Sequence, residues 1–284
     1  MDSLDVRIAI VSNGNYFSRI ILEPLLLKYT KSVVGVVFVE GDYRGRVGLQ
    51  ALWETGRKTT LPYLAYKVAQ HALFRLAQIA NPRAWIELEA VTKALGLPGL
   101  RTARVNSPEV YSWLQEFNPD LLISVSCPQR IRAKLLRLPR IAALNVHSSL
   151  LPRYAGLAPY YWVLAEGETI TGVTVHYMSE GFDEGNILVQ KSLSISPRTS
   201  AFSLFEKLAA LGSEALLEAV NLALEGDPGK PQDLRKRTYF SHPTWSSYWK
   251  LKRNGHAIVR VSELAIALLE ASSRRRDKMT KRGG

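Results

Sequence analysis

Asn145 and His147 stand two residues apart at the end of the apolar run AALNVH, and a strand of period two turns both side chains to one face. Asp183 follows in the turn EGFDEG, flanked by glycines. An amide, an imidazole and a carboxylate suit acyl transfer to an amine. When an amine attacks a carbonyl, the oxygen gains negative charge and the nitrogen sheds a proton. The Asn145 amide and an imidazole N–H would stabilise that oxygen, at about 10²–10³ in rate per donor. Asp183 would orient or charge His147 and help to carry the proton, a role worth about 10²–10⁴. The amine is itself the nucleophile, so no Ser or Cys is required. Ser148 and Ser149 lack a G-x-S-x-G elbow and read as turn residues. A competing reading groups His147, His176 and Asp183 as a two-His, one-carboxylate iron site, which leaves Asn145 without a task. Taken singly, each of these residues is more often a satisfied structural group.

Such a set needs a sheet edge to hold it, and the elements supply one. RIAIV (7–11), SVVGVVFVE (32–40) and PDLLISVSC (119–127) have the continuous apolar character of strands buried on both faces. RIILEPLLLKY (19–29) and SPEVYSWLQEF (107–117) have helical spacing between them. AALNVHSSL, TGVTVHYMS and NILVQKSLSI continue as strands, with a helix starting or interrupted at Pro159. Ser203 and Glu206 have capping-box spacing for a long helix over 201–225, and GDPGKPQ (226–232) reads as a linker. The expected fold is α/β, a Rossmann-like, mostly parallel sheet. The loop after the first strand lacks G-x-G-x-x-G, so no dinucleotide fingerprint is present. The expected division is a catalytic domain over 1–225, with a helical basic insertion at about 41–104, and a short aromatic and basic appendage over 226–284. Within the insertion, LPYLAYKVAQHALFRLAQIA (61–80) places Leu61, Leu64, Val68, Ala72 and Leu76 three or four apart, with Lys67, His71 and Arg75 between them. This basic amphipathic helix is expected to lay its stripe on the parent domain; a membrane-surface or partner-binding face is the alternative.

Composition narrows the classes. Of 284 residues, 46% are apolar and 22% charged, ordinary for a globular chain with a sizeable core. No run of about twenty apolar residues suggests a spanning helix, and MDSLDVRIAIVSNG is acidic where a signal peptide is basic, so a cytoplasmic protein is expected. The single Cys127 forms no internal disulfide and excludes a multi-cysteine zinc site; it reads as a small buried hydrophobe. The net charge is +12. The segment 41–104 carries ten basic and four acidic residues, and the tail RRRDKMTKRGG carries six and one. The basic character therefore lies in the insertion and the tail, away from the chemistry. Such patches meet polyanions: RNA, phosphorylated metabolites or an anionic membrane surface. DNA is not expected among them.

The conjunction over 145–190 is more specific than any one residue. NVHSSLLPRYAGLAPYYWVLAEGETITGVTVHYMSEGFDEGNILVQ resembles the signature of the folate-dependent formyltransferase family, which includes enzymes acting on methionyl-tRNA, glycinamide ribonucleotide and amino sugars. Asn145 and His147 fall on its N-x-H, SLLPRYAG on its S-L-L-P-x-x-x-G loop, TGVTVHYM on its T-G-V-T strand, and DEGNIL on its D-x-G-x-I-L turn. The resemblance covers about residues 1–225 in strand order, with its strong motifs within 119–190. It implies 10-formyltetrahydrofolate as donor, no metal, and a catalytic set matching Asn145, His147 and Asp183. It also implies that the segment after the strand 119–126 wraps the pterin, here Ser126, Cys127, Pro128, Gln129, Arg130 and Ile131. That segment departs from the expected versions, which contain glycine or aromatic residues. The implied reaction moves a formyl group to a primary amine through a tetrahedral intermediate. The acceptor is an amino sugar or other small anionic amine, or methionyl-tRNA, with Arg153 either contacting an anionic acceptor or capping its loop. A formyltetrahydrofolate hydrolase, using water on the same site, is the alternative, and a non-catalytic binding protein on the same fold is a third.

Overall fold

The structure is a computed structural model that describes residues 6–273; the basic tail singled out above lies outside them. Its centre follows from the apolar runs. β1 (Ile8–Ser12) and β4 (Leu121–Val125) are buried along their whole length, and β2 (Val33–Val39) nearly so. Strands of that kind form where helices cover both faces of a parallel sheet. With β3 (Gly99–Thr102), β5 (Ala142–His147), β7 (Ile170–Tyr177) and β8 (Ile187–Ser194) they make a seven-stranded sheet of order β3-β2-β1-β4-β5-β7-β8. The first five run parallel, while β7 is antiparallel to both β5 and β8.

The alternation of side chains along the strands divides the core into two layers. Ile8, Ile10, Leu121 and Ile123 face α1 (Tyr16–Lys28), which packs on α8 (Ala201–Leu224) and on α4 (Leu88–Ala94). Ala9, Val11, Val37 and Leu122 face α5 (Pro108–Glu116) and α6 (Ala133–Leu136) on the other side. Ser107 caps α5 as its position before Pro108 predicts. The capping box read at Ser203 and Glu206 is displaced: Ser200 is the cap of α8, accepting from the Ser203 N–H at 3.0 Å, and Glu206 instead accepts from the Tyr16 hydroxyl.

The segment 41–104 is helical only in part. α2 (Gly48–Gly56) and α3 (Leu61–Ala80) rise over the carboxyl ends of β1 and β2, but α4 packs on the core and β3 is an edge strand of the main sheet. α3 spans the residues expected of it, yet the stripe expected to pack inward does not. Its buried residues are Tyr63, Tyr66, Gln70 and Phe74, whereas Leu61 is 69% and Leu76 64% exposed. Rings decide this: Phe74 stacks on Tyr16 at 4.4 Å, and Tyr63 meets Tyr161 edge-on, each burying more apolar area than a Leu.

The last part of the chain returns to the site. β6 (Ala155–Gly156) pairs with β9 (Tyr239–Phe240), α7 (Pro159–Ala165) packs on α9 (Trp245–Arg253), and α10 (Val261–Ser273) lies against α3. Among the described residues, no helix is long and apolar enough to cross a membrane.

Candidate active site

In an open parallel sheet, ligands bind beyond the carboxyl ends of the strands, where neighbouring connections leave in opposite directions. Here that crevice lies between the loop after β1, at Asn13 and Asn15, and the segment Ser126–Ile131 after β4. A cavity of about 450 Å³ fills it, within the usual range of small-molecule sites. The cavity is lined by all six residues of Ser126–Ile131 and by Asn145, His147, His176 and Asp183.

Strand register brings three of these polar groups together. Asn145 and His147 share a face of β5, and Asn145 lies directly opposite His176 on β7. The His176 Nδ1–H can only donate to the Tyr177 carbonyl, 2.8 Å away, so its Nε2 offers a lone pair. The Asn145 amide donates to that nitrogen at 3.2 Å, which fixes the amide and leaves its second N–H free to enter the cavity. His147 is fixed by the same logic. Its Nε2–H donates to the Tyr154 carbonyl at 2.9 Å, so Nδ1 is the ring nitrogen that faces the cavity.

Asp183 reaches between the two rings. One carboxylate oxygen is 3.7 Å from His147 Nδ1 and 3.7 Å from His176 Nε2; the other accepts from the Gly156 N–H at 2.9 Å. At 3.7 Å the imidazole contacts are electrostatic rather than hydrogen bonds. Burial pushes the Asp183 carboxyl up, but the two imidazoles and the Gly156 N–H outweigh it and hold the group well below the usual carboxylate range. Asp183 is thus a fixed negative charge at neutral pH. The backbone here is shaped for this contact. Asp183 itself has φ 55°, and Gly156 has φ 96°, where a Cβ would stand 2.2 Å from the Phe240 carbonyl oxygen.

The iron-site reading is not favoured. One ring nitrogen of each histidine is spent on a backbone carbonyl, and the remaining nitrogen of His176 is taken by Asn145. Among the described residues, no group of three or more His, Cys, Asp or Glu is arranged to hold a metal ion.

The other expected residues divide by what their side chains do. Gln129 is a strut: its amide donates to the carbonyls of Asp42 and Ala103 and accepts from the Val105 N–H, tying the segment to both ends of the insertion. Ile131 is buried in the core layer beneath the loop. Burial pushes the Cys127 thiol up to about 12, so it stays protonated and unreactive. Arg130 lies 5.4 Å from the Phe182 ring, at the cavity edge. Arg153 pairs with Glu168 and lies over the Tyr154 ring, and it is not among the residues lining the cavity.

Several lining residues carry no local sequence signal. Tyr63 and Lys67 enter from α3, and Tyr239, His242 and Pro243 enter from the appendage. A second cavity of about 580 Å³ adjoins the first, sharing Asn13, Asn15, Thr55, Lys67 and Pro128 with it. The buried Gln70 lines it, and the Gln70 Oε1 has no hydrogen-bond partner among the described residues. The acidic groups around this second cavity are largely matched: Asp42 by Arg46, Glu87 by Arg75, Glu89 and Glu40 by Arg101. Lys67, by contrast, has no carboxylate partner among the described residues. It lies 5.7 Å from the Tyr66 ring, and burial pulls its ammonium down to about 8.

Residues 7–220 match the family model described as formyl transferase. The chain belongs to the formyl transferase family. Among relatives of this formyl transferase chain, the methionyl-tRNA formyltransferase of Geobacter metallireducens is 41% identical over 134 residues, which is 47% of this chain and 43% of that protein. The aligned chain thus spans less than half the length of that curated relative. Two solved structures share the fold. Glycinamide ribonucleotide transformylase 1 from Symbiobacterium toebii has a TM-score of 0.56 at 18% identity, covering 82% of this chain and 95% of that one. An N-formyltransferase from Helicobacter canadensis, in complex with folinic acid and dTDP-3-aminofucose, has a TM-score of 0.55 at 16% identity, covering 83% of this chain and 71% of that one.

Proposed function

We propose that this formyl transferase is a 10-formyltetrahydrofolate-dependent N-formyltransferase whose acceptor is a primary amine carrying an anionic group. The observation that carries the reading is the convergence of Asn145, His147 and Asp183 at one point of the cavity, each oriented by a different backbone or side-chain contact. The free Asn145 N–H serves the oxygen that becomes negative as the amine attacks. The Nδ1 lone pair of His147 takes the proton that the attacking nitrogen sheds and passes it to the departing folate nitrogen, and the Asp183 carboxylate balances the positive charge the ring carries in between. Pre-oriented donors matter because they cost no rearrangement at the moment of reaction.

The donor fits the β4 side of the crevice. The loop Ser126–Ile131 offers backbone polar groups there, and Phe182 and Met178 add apolar surface to the same wall. The helix-covered side, toward Asn13, Asn15 and Lys67, is then left for the acceptor. An amine bound at the catalytic set extends naturally into the second cavity, its anionic group meeting Lys67 and a hydroxyl meeting Gln70 Oε1. A phosphorylated amino sugar has this chemistry. Methionyl-tRNA shares the amine and the phosphates, and the relatives that act on it make it the second acceptor to test. Residues 1–225 are proposed as the catalytic part, with the appendage closing one wall.

The test follows the formyl group. The purified protein is incubated with 10-formyltetrahydrofolate labelled at the formyl carbon and a cell extract divided into small-molecule and tRNA fractions. Label in a small anionic amine supports the reading, and label in tRNA moves the acceptor to methionyl-tRNA. Label released only as formate, or not at all, overturns N-formyl transfer.

With the acceptor in hand, Lys67→Met is expected to raise its KM about 10–100-fold, the worth of one hydrogen bond to a charged group, with kcat nearly unchanged. The wild-type ammonium is present below about pH 8 and lost above it. The ratio of variant to wild-type KM is therefore expected to shrink toward one as pH rises past 8. A constant ratio across that range would show that Lys67 does not hold the anion.

A further inference from the structure

α3 has two apolar faces on opposite sides. One is the buried set Tyr63, Tyr66 and Phe74, and the other, half a turn away, is Leu61, Val68, Leu76 and Ile79, all exposed. The outer face runs the length of a 20-residue helix, about 30 Å at 1.5 Å per residue. Its two neighbours carry exposed apolar residues as well. Leu49 and Trp53 are exposed on α2, as are Ile266 and Leu269 on α10, and both helices pack against α3. Single exposed apolar residues are ordinary, but a run of this extent marks a surface that is covered in use.

The charges around it identify the cover. Arg57 and Lys58 stand exposed in the turn between α2 and α3, and Arg83 stands exposed just past the end of α3. The apolar stripe is thus bracketed by cations at both ends. The chain then continues beyond α10 with RRRDKMTKRGG, six basic residues and one acidic, outside the described residues. An apolar helical stripe with Trp beside it and basic residues at its margins is the pattern of a helix lying in the plane of a bilayer surface. Anionic headgroups suit both the flanking cations and the tail, at about 1 kcal/mol per basic residue near the surface.

We propose that the outer face of α3, with the adjoining parts of α2 and α10, docks this protein on anionic membranes. The proposal does not depend on the reaction assigned above. Because Tyr63 and Lys67 line the catalytic cavity from the inner side of the same helix, docking would bring the active site to the membrane surface without blocking it.

The test is co-sedimentation of the full chain with vesicles of phosphatidylcholine alone and of phosphatidylcholine with one-third phosphatidylglycerol. The wild type is expected to pellet with the mixed vesicles and much less with the neutral ones. Val68→Glu/Leu76→Glu/Ile79→Glu is expected to lower the partition at least tenfold. Since all three side chains are exposed, thermal melting of this variant should match the wild type. Absence of wild-type binding to the anionic vesicles overturns the proposal. So does equal binding by the triple variant, which would leave the tail alone responsible. Light scattering supplies the remaining outcome: a wild-type dimer that the triple variant converts to monomer would assign the face to a second copy and overturn the membrane.

Discussion

Asp183→Asn is expected to lower kcat about 10²–10⁴-fold while leaving the protein folded and able to bind the folate donor. The substitution is close to isosteric, and Asn accepts the left-handed backbone at φ 55° as readily as Asp. Its amide oxygen can still accept from the Gly156 N–H, so the loop keeps its anchor. What changes is the side facing the rings. An N–H₂ replaces the oxygen 3.7 Å from His147 Nδ1 and His176 Nε2, presenting donors where a negative charge had balanced developing positive charge. Steady-state kinetics with the identified acceptor and equilibrium binding of a reduced folate check the two halves. Turnover within fivefold of wild type would remove Asp183 from the chemistry.

The same residue links catalysis to stability. A carboxyl whose folded pKa is depressed stabilises the fold above its unfolded value and loses that contribution as pH falls toward the folded one. For Asp183 the contribution is complete above about pH 4 and fades below it. Any stability difference between wild type and Asp183→Asn should therefore narrow on acidification.

Asn145→Ala is the second large effect, with an expected loss of about 10²–10³ in kcat and a small change in KM. The reasoning is differential: the free amide N–H gains most when the carbonyl oxygen becomes an anion, so its removal costs the transition state more than the bound substrate. The substitution also strips His176 Nε2 of its donor. His176→Gln separates the two contributions. It removes the ring that orients the amide but leaves the amide itself, and is expected to cost less than Asn145→Ala. Equal losses would assign the whole effect to orientation.

The parallel strands and the pairing of Asn145 with His147 were legible because their signals are local. Unbroken apolar runs such as IAIV and LLIS have few other places to go than the middle of a covered sheet, and period two alone puts Asn145 beside His147. β3 was missed inside the supposed insertion because GLRT is four residues at a sheet edge, with too little apolar content to register. α3 was located but turned around. A helix apolar on two opposite sides does not record which side is buried, and the choice fell to partners remote in sequence, Tyr16 and Tyr161. Lys67, Gln70 and His242 were missed as site residues for a related reason: each enters the cavities from an element whose place is fixed only by tertiary packing. Gln129 and Arg153 show the converse. Both lie in segments that the family pattern marks, yet their side chains are committed to internal contacts.

The pairing of β6 with β9 has a consequence for how this molecule is made. Strand β5, which carries Asn145 and His147, leaves the ribosome long before Tyr239 and His242 do, and the sheet around it can form once β7 and β8 have followed. The nascent chain then holds its reactive groups in an open trough. Only when residues 239–243 have emerged and zipped onto Ala155 and Gly156 does the trough gain its remaining wall. Competence to bind substrate is thus withheld until residues 239–243 have emerged, and a chain stalled shortly before that point would fold its sheet yet lack that wall.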